Sequence, residues 1–451
     1  MQTKVSAVNS HSDEIPIRLL QTSENANMLA VEWRFVFVQA GLLFLLVRFQ
    51  NVGVGLLTAS IFFLFWKRRF DYREAVVALF IVACVLASSR EPGLQYWKNL
   101  RLLPAALLFV DALKSLRFVE ARARSAIIRW IVFVASLTAT PALVSEDLTQ
   151  GLFESLLLTS MWFAMLALAR PKSAKESLKR FTSLKHLVIV VVLASLVFFI
   201  GDGGLGFLNG RFRGIFGNPN EMSHWVFPFA LLVVFSGNLT RTKDRLWAVS
   251  GVIGLLLVTG TRGALVALFL GLVAFLTVDS KVTPFRLWGG ILVAFVLIVS
   301  QNFIIEQSQR FLPERLVRLE SLGEGGGRFL AWEYAIEEIK KRPVFGGGGG
   351  YEERYFGENY SFFAMQNHQG LSHNSWLAFA MNFGVANAIL LILGLFRQLG
   401  LLNGMALFFA APAFLFSLTF EGWLTAPMSA STPILFFVGG WLGSHLSRSG
   451  Y

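Results

Sequence analysis

Four short polar stretches break the long apolar runs of this sequence, and each carries a side chain suited to phosphate or proton chemistry. Arg211 and Arg213 stand in Asn-Gly-Arg-Phe-Arg-Gly, Arg262 in Thr-Gly-Thr-Arg-Gly, His373 in Ser-His-Asn, and Glu421 alone between two apolar runs. Arg211 and Arg213 precede Asn218-Pro219-Asn220-Glu221, which reads as a helix start with Asn218 as N-cap, Pro219 at the first position and Glu221 closing a capping box. The unpaired amides and positive dipole end of such a start, beside two guanidiniums, suit an anionic oxygen ligand such as a diphosphate. The competing reading makes both arginines interfacial anchors that reach water from a glycine-rich loop.

Arg262 is the sole charge between Leu246 and Val278. Charge within such a stretch is costly in a bilayer and marks function, unless Gly260 and Gly263 turn a hairpin whose tip carries Arg262 to water. His373 opens a strongly apolar helix that Ser372 or Asn374 could cap. A neutral imidazole there could take a proton, although a histidine at a helix start also serves as a cap or surface group. Metal binding is not expected, because His368 is the nearest other histidine and no carboxylate-rich cluster adjoins it. Gly384 returns to nearly the same helix face three turns on, where it would let another helix or a lipid chain come close. Glu421 reads first as a solvated loop charge and second as a polar partner of His373 or an arginine.

The elements that must carry these groups are membrane spans. Of 451 residues, 55% are hydrophobic and 15% charged, against roughly 25% charged in a soluble domain. Apolar runs recur without the alternation of barrel strands and predict an all-α, polytopic transmembrane bundle of about 12 to 14 spans. They lie near 33–47, 51–66, 75–89, 102–116, 126–144, 152–169, 186–200, 222–237, 246–260, 263–278, 287–305, 374–396, 401–419 and 431–446. The net charge of +12 does not imply nucleic acid, since the basic residues fall in the gaps between runs. Most of the 40 Lys and Arg occupy alternate gaps, including Lys67 to Arg73 and Arg170 to Lys185. The positive-inside rule then puts both termini in the cytoplasm and all four polar stretches on the outer side. The first span is expected to act as an uncleaved signal anchor. The single cysteine, Cys84, lies in an apolar run and is expected to be buried.

The resulting organisation is a cytoplasmic tail over 1–30, transmembrane helices over 31–305, a periplasmic loop domain over 306–372 and C-terminal transmembrane helices over 373–451. The long loop contains an amphipathic helix from Arg328 to Lys341, with Trp332, Ala335, Ile336 and Ile339 on one stripe. Pro343 and the glycines Gly346 to Gly350 end it. These glycines suggest a hinge or a close backbone approach rather than a phosphate loop, because no Lys-Ser/Thr follows them.

Between Arg211 and Asn387 the sequence resembles the O-antigen ligase and O-antigen polymerase superfamily of membrane glycosyltransferases. The resemblance rests on Arg-Phe-Arg-Gly-Ile-Phe-Gly-Asn-Pro-Asn, Thr-Gly-Thr-Arg-Gly-Ala, Arg328 to Trp332 followed by Arg-Pro-Val-Phe-Gly-Gly-Gly, and Ser-His-Asn before a span. His373, Asn374 and Gly384 match the ligase pattern, whereas Asn387 departs from it at the final position. The family implies a glycan donor on undecaprenyl diphosphate and a glycan or glycolipid acceptor, lipid A-core for a ligase, met at the periplasmic face of the inner membrane. The reaction needs a base, assigned to His373, and cations for the departing diphosphate, assigned to Arg211, Arg213 and Arg262; Arg328, Asn374 and Glu421 are expected to complete the substrate-binding set. No cofactor or metal is expected. A polymerase in surface or exopolysaccharide synthesis would use the same donor with a second lipid-linked glycan as acceptor. An inorganic-carbon transporter is the remaining alternative, and it would place charge near the midplane of repeated halves.

Overall fold

A backbone withdrawn from water must satisfy its own hydrogen bonds, and long apolar runs do so locally as α-helices. Among the described residues, the computed structural model is all-α apart from one two-stranded ribbon. It describes residues 30–278 and 328–448, apart from 49–51, 90–93, 95, 118–120, 172, 202–205, 209–210, 237–238, 241, 366–370, 404–405, 408–409 and 423.

The first part comprises α1 (Trp33–Arg48), α2 (Val52–Arg69), α3 (Tyr72–Ser88), the single turn α4 (Trp97–Leu100), α5 (Leu102–Arg117), α6 (Ala121–Leu143), α7 (Leu148–Ala169) and α8 (Ala174–Gly201). The ribbon β1 (Phe207–Leu208) and β2 (Arg211–Phe212) pairs antiparallel, Leu208 opposite Arg211. Then follow α9 (Pro219–Val234), α10 (Thr242–Thr259), α11 (Arg262–Val278), α12 (Arg328–Lys341), α13 (Tyr351–Glu358) and α14 (Tyr360–Met365). The chain ends with α15 (Ser375–Phe383), α16 (Val385–Leu399), α17 (Ala411–Phe420) and α18 (Thr432–Arg448). Among the described residues, Arg124–Leu143, Leu148–Ala169 and Ala174–Val197 are long and apolar enough to cross a membrane by length and composition.

One core runs through the bundle, with Trp66, Trp162, Trp225 and Trp441 fully buried. Cys84 is buried within it.

Three spans differ from the expected boundaries, and a fourth, 287–305, lies outside the described residues. Helix α8 begins at Ala174, not near 186, because its basic first half is paired rather than solvated. Arg180 donates to Glu74 Oε1 at 2.7 Å and to the Leu168 carbonyl at 2.7 Å, Lys179 to Asp71 at 2.8 Å and Arg73 to Glu176 at 2.9 Å. A buried charge so matched can continue a helix where an unmatched one would force a loop. In the run from 401, residues 401–403 form a turn, 406–407 are helical, and α17 spans Ala411–Phe420.

The third difference is at Gly384. The expected single helix 374–396 is two, α15 and α16, parted by Gly384 at φ 85° and ψ 161°. A Cβ there would lie 2.0 Å from the Val344 carbonyl oxygen. Gly384 therefore admits the backbone of the long loop, not another helix or a lipid chain. Val385 N–H donates to Pro343 O at 2.9 Å, Gly347 to Met381 O at 2.8 Å and Gly348 to Asn382 O at 2.9 Å. The glycine run thus makes the close backbone approach its composition suggests.

Helix α12 has its expected bounds. Its buried stripe is Ala331, Ala335 and Glu338, while Ile336 faces outward at 43% exposure. With α13, α14 and α15 it closes a second small core of Ala331, Ala335, Tyr351, Phe356, Phe363 and Met381. This core fixes residues 328–365 against α15 through Met381 and Leu377.

Candidate active site

Asn218 caps α9 as its residue type requires, its side chain accepting the Asn220 N–H at 2.9 Å with Pro219 at the first helical position. That turn aims the Asn220 side chain away from the helix. Asn220 Nδ2 donates to Glu421 Oε1 at 2.9 Å, and Asn220 Oδ1 accepts from Arg211 Nη2 at 2.7 Å and from Thr261 Oγ1 at 3.2 Å. Arg211, on β2, also donates through Nε to Thr259 O at 2.6 Å and through Nη2 to Thr261 Oγ1 at 3.0 Å. Gly260, at φ 62°, makes the turn that presents both threonines.

Glu421 is the hub. Its Oε1 accepts from Arg328 Nη2 at 2.8 Å, and its Oε2 lies 3.7 Å from His373 Nδ1. His224 Nε2 approaches Oε1 at 3.7 Å, while Nδ1 of the same ring shares a hydrogen bond with Ser417 Oγ at 2.8 Å. The carboxylate side chain is 12% exposed, so the solvated reading of Glu421 gives way to the partnered one. Burial pushes its carboxyl upward, but the interaction with His373 and the charges of Arg328 and His224 outweigh this and hold it down to about 2. Ser375 Oγ donates to the Glu421 carbonyl at 2.7 Å and accepts the Leu424 N–H at 3.4 Å, fixing this loop to the start of α15.

His373 sits between two anchored neighbours. Asn374, not Ser372, caps α15, its Oδ1 accepting from Trp376 N at 2.9 Å and Leu377 N at 3.2 Å. That oxygen therefore serves the helix. Trp332 Nε1, from α12, donates to the Ser372 carbonyl at 2.7 Å. At φ 48°, His373 is the one non-glycine residue with positive φ among the described residues. Such a conformation costs of order 1–3 kcal/mol and persists where the surroundings over-determine it.

The structure thus brings Arg211, Arg328, His373 and Glu421 into one connected set. Arg213 is buried in the turn after β2, its N–H on Gly206 O at 2.8 Å. Arg262 opens α11 beside Thr261, and its side chain lies outside those described. Asn220, His224, Ser375 and Trp332 were not singled out as site residues. Asn220 and His224 are four residues apart on one face of α9, a spacing that could have paired them.

Fold and site together describe an all-α helical protein with a cationic, histidine-bearing polar centre. Residues 246–392, about a third of the chain, match the family model described as O-antigen ligase, and this stretch is thus similar to the O-antigen ligase/polymerase superfamily. Arg262, Arg328, His373 and Gly384 fall within the match; Arg211, Arg213 and Glu421 lie beyond it. No curated protein matches the chain.

Proposed function

We propose that this protein transfers a glycan from undecaprenyl diphosphate to a sugar hydroxyl, acting as an O-antigen ligase with lipid A-core as acceptor. The observation that carries this reading is the approach of His373 to Glu421, a carboxylate bound at the same time to Arg328 and, through Asn220, linked to Arg211. Glu421 Oε2 faces the Nδ1 side of the ring at 3.7 Å, which leaves Nε2 to act. The acceptor hydroxyl gives its proton to His373 Nε2 as its oxygen bonds to the anomeric carbon of the donor sugar. The bond from that carbon to the diphosphate oxygen breaks, and the electron pair leaves with undecaprenyl diphosphate.

Fixed guanidiniums favour that departure, because they meet the developing charge without reorganising. Arg211 and Arg328, held in the set around Glu421, are assigned this task, and Arg213 and Arg262 are assigned it from their place in the sequence. The lipid diphosphate bond is already activated, so no cofactor, nucleotide sugar or metal enters the scheme. The site is assigned to the periplasmic face of the inner membrane, with 306–372 as a periplasmic loop domain over it and 1–30 in the cytoplasm.

The deciding experiment offers purified protein the lipid-linked glycan with lipid A-core or with a second lipid-linked glycan, in the presence of chelator. Transfer to lipid A-core is expected. Elongation of the lipid-linked glycan alone would make the protein a polymerase, and loss of transfer on chelation would overturn the metal-free scheme.

A further inference from the structure

We propose that Glu352 is a positioning residue that sets the placement of His373 through the backbone of Ser372; this rests on reading His373 as the proton acceptor. Glu352 lies on α13, two residues after the glycine run and 20 before Ser372, and is 4% exposed. Its Oε1 accepts the Ser372 N–H at 2.9 Å and also the Ser372 hydroxyl. Its own N–H donates to Asn382 Oδ1 at 2.8 Å, which ties the start of α13 to α15. The Ser372 carbonyl is held in turn by Trp332 Nε1.

Every polar group of Ser372 is therefore engaged from α12 or α13, while Asn374 on the far side is committed to capping α15. His373 is the residue between, and it holds the left-handed conformation that L-residues avoid. With either neighbour released, the segment would relax toward an ordinary conformation and carry the imidazole away from Glu421 Oε2. Removing the Glu352 carboxyl would leave the Ser372 N–H buried without an acceptor, which drives that relaxation. The geometry asks for an oxygen acceptor at this position. Burial pushes the Glu352 carboxyl up to about 6, against the pull of the two Ser372 hydrogen bonds, so a neutral amide that keeps Oε1 is a fair substitute.

The test uses the purified full-length protein with undecaprenyl-diphosphate glycan. Glu352→Ala should lower kcat about 100-fold, the scale expected for a small misplacement of a reacting group, with KM for the lipid donor within about twofold. Glu352→Gln should stay within about fivefold of wild type, since it retains the acceptor. Ser372→Ala, which removes only the hydroxyl, should fall between them. On a His373→Ala background Glu352→Ala should add nothing, as groups acting through one another are non-additive.

Carbethoxylation of His373 by diethyl pyrocarbonate, followed by peptide mass spectrometry, reads the placement without catalysis. It should rise in Glu352→Ala and Ser372→Ala and stay at the wild-type rate in Glu352→Gln. Wild-type kcat in Glu352→Ala, unchanged His373 modification in both alanine variants, or a further loss on the His373→Ala background would each overturn the proposal. Wild-type transfer by His373→Ala would instead remove the base reading, and the modification rates would still report on the clamp.

Discussion

Glu421 is the residue on which the site turns, because one carboxylate joins elements that are far apart in sequence. Asn220 reaches it across 201 positions and Arg328 across 93. Its carboxyl is held at about 2 rather than 4.5, so its stabilising contribution is complete above the ordinary value and is lost as pH falls toward 2. Glu421→Gln should flatten the loss of thermal stability between pH 4.5 and 2, and it should reduce transfer. An acid melting profile identical to wild type would contradict the hub.

Arg211→Lys tests geometry rather than charge. Three acceptors surround the Arg211 guanidinium from two directions, and a lysine ammonium cannot span them. Transfer should fall at least about tenfold, equivalent to one or two such hydrogen bonds, and wild-type kcat/KM would remove Arg211 from the site. Arg211 and His373 were legible in the sequence because charge or imidazole beside apolar runs is conspicuous, and Arg328 through the family resemblance. The meeting of Asn220, His224 and Glu421 was not, since it depends on how α9 and the loop after α17 pack together, which no local spacing encodes.

At the scale of elements, hydrophobic runs fixed the existence of most helices but misjudged where charge ends one. The basic start of α8 looked like a loop until Asp71, Glu74 and Glu176 supplied its partners. The break at Gly384 was hidden within a largely apolar run, and the backbone dihedrals and Val344 expose it. Gly384→Ala should cost about 3 kcal/mol or more, from a backbone region nearly exclusive to glycine. It should also abolish transfer by shifting the loop that holds Ser372. Gly357→Ala is the control: it lies in α13 with nothing within 4 Å of the added methyl, and alanine there favours the helix. Melting temperatures of the two variants in the same detergent check this, and equal values would contradict the packing described at Gly384.

For the whole molecule, the count of basic residues predicts a sidedness. Reporter fusions should place residues 306–372 outside and 170–185 in the cytoplasm; a cytoplasmic long loop would contradict the assignment of the site to the outer face. The central claim is that the residues joined at Glu421 form one transfer site with His373 as its base. The most direct measurement is undecaprenyl diphosphate released from purified lipid-linked glycan by wild type and by His373→Ala, alongside donor affinity. A base contributes typically 10²–10⁴-fold and acts in the transition state. His373→Ala should therefore lose about a hundredfold or more in release while binding donor within about twofold of wild type. Release at the wild-type rate with unchanged donor affinity would contradict it.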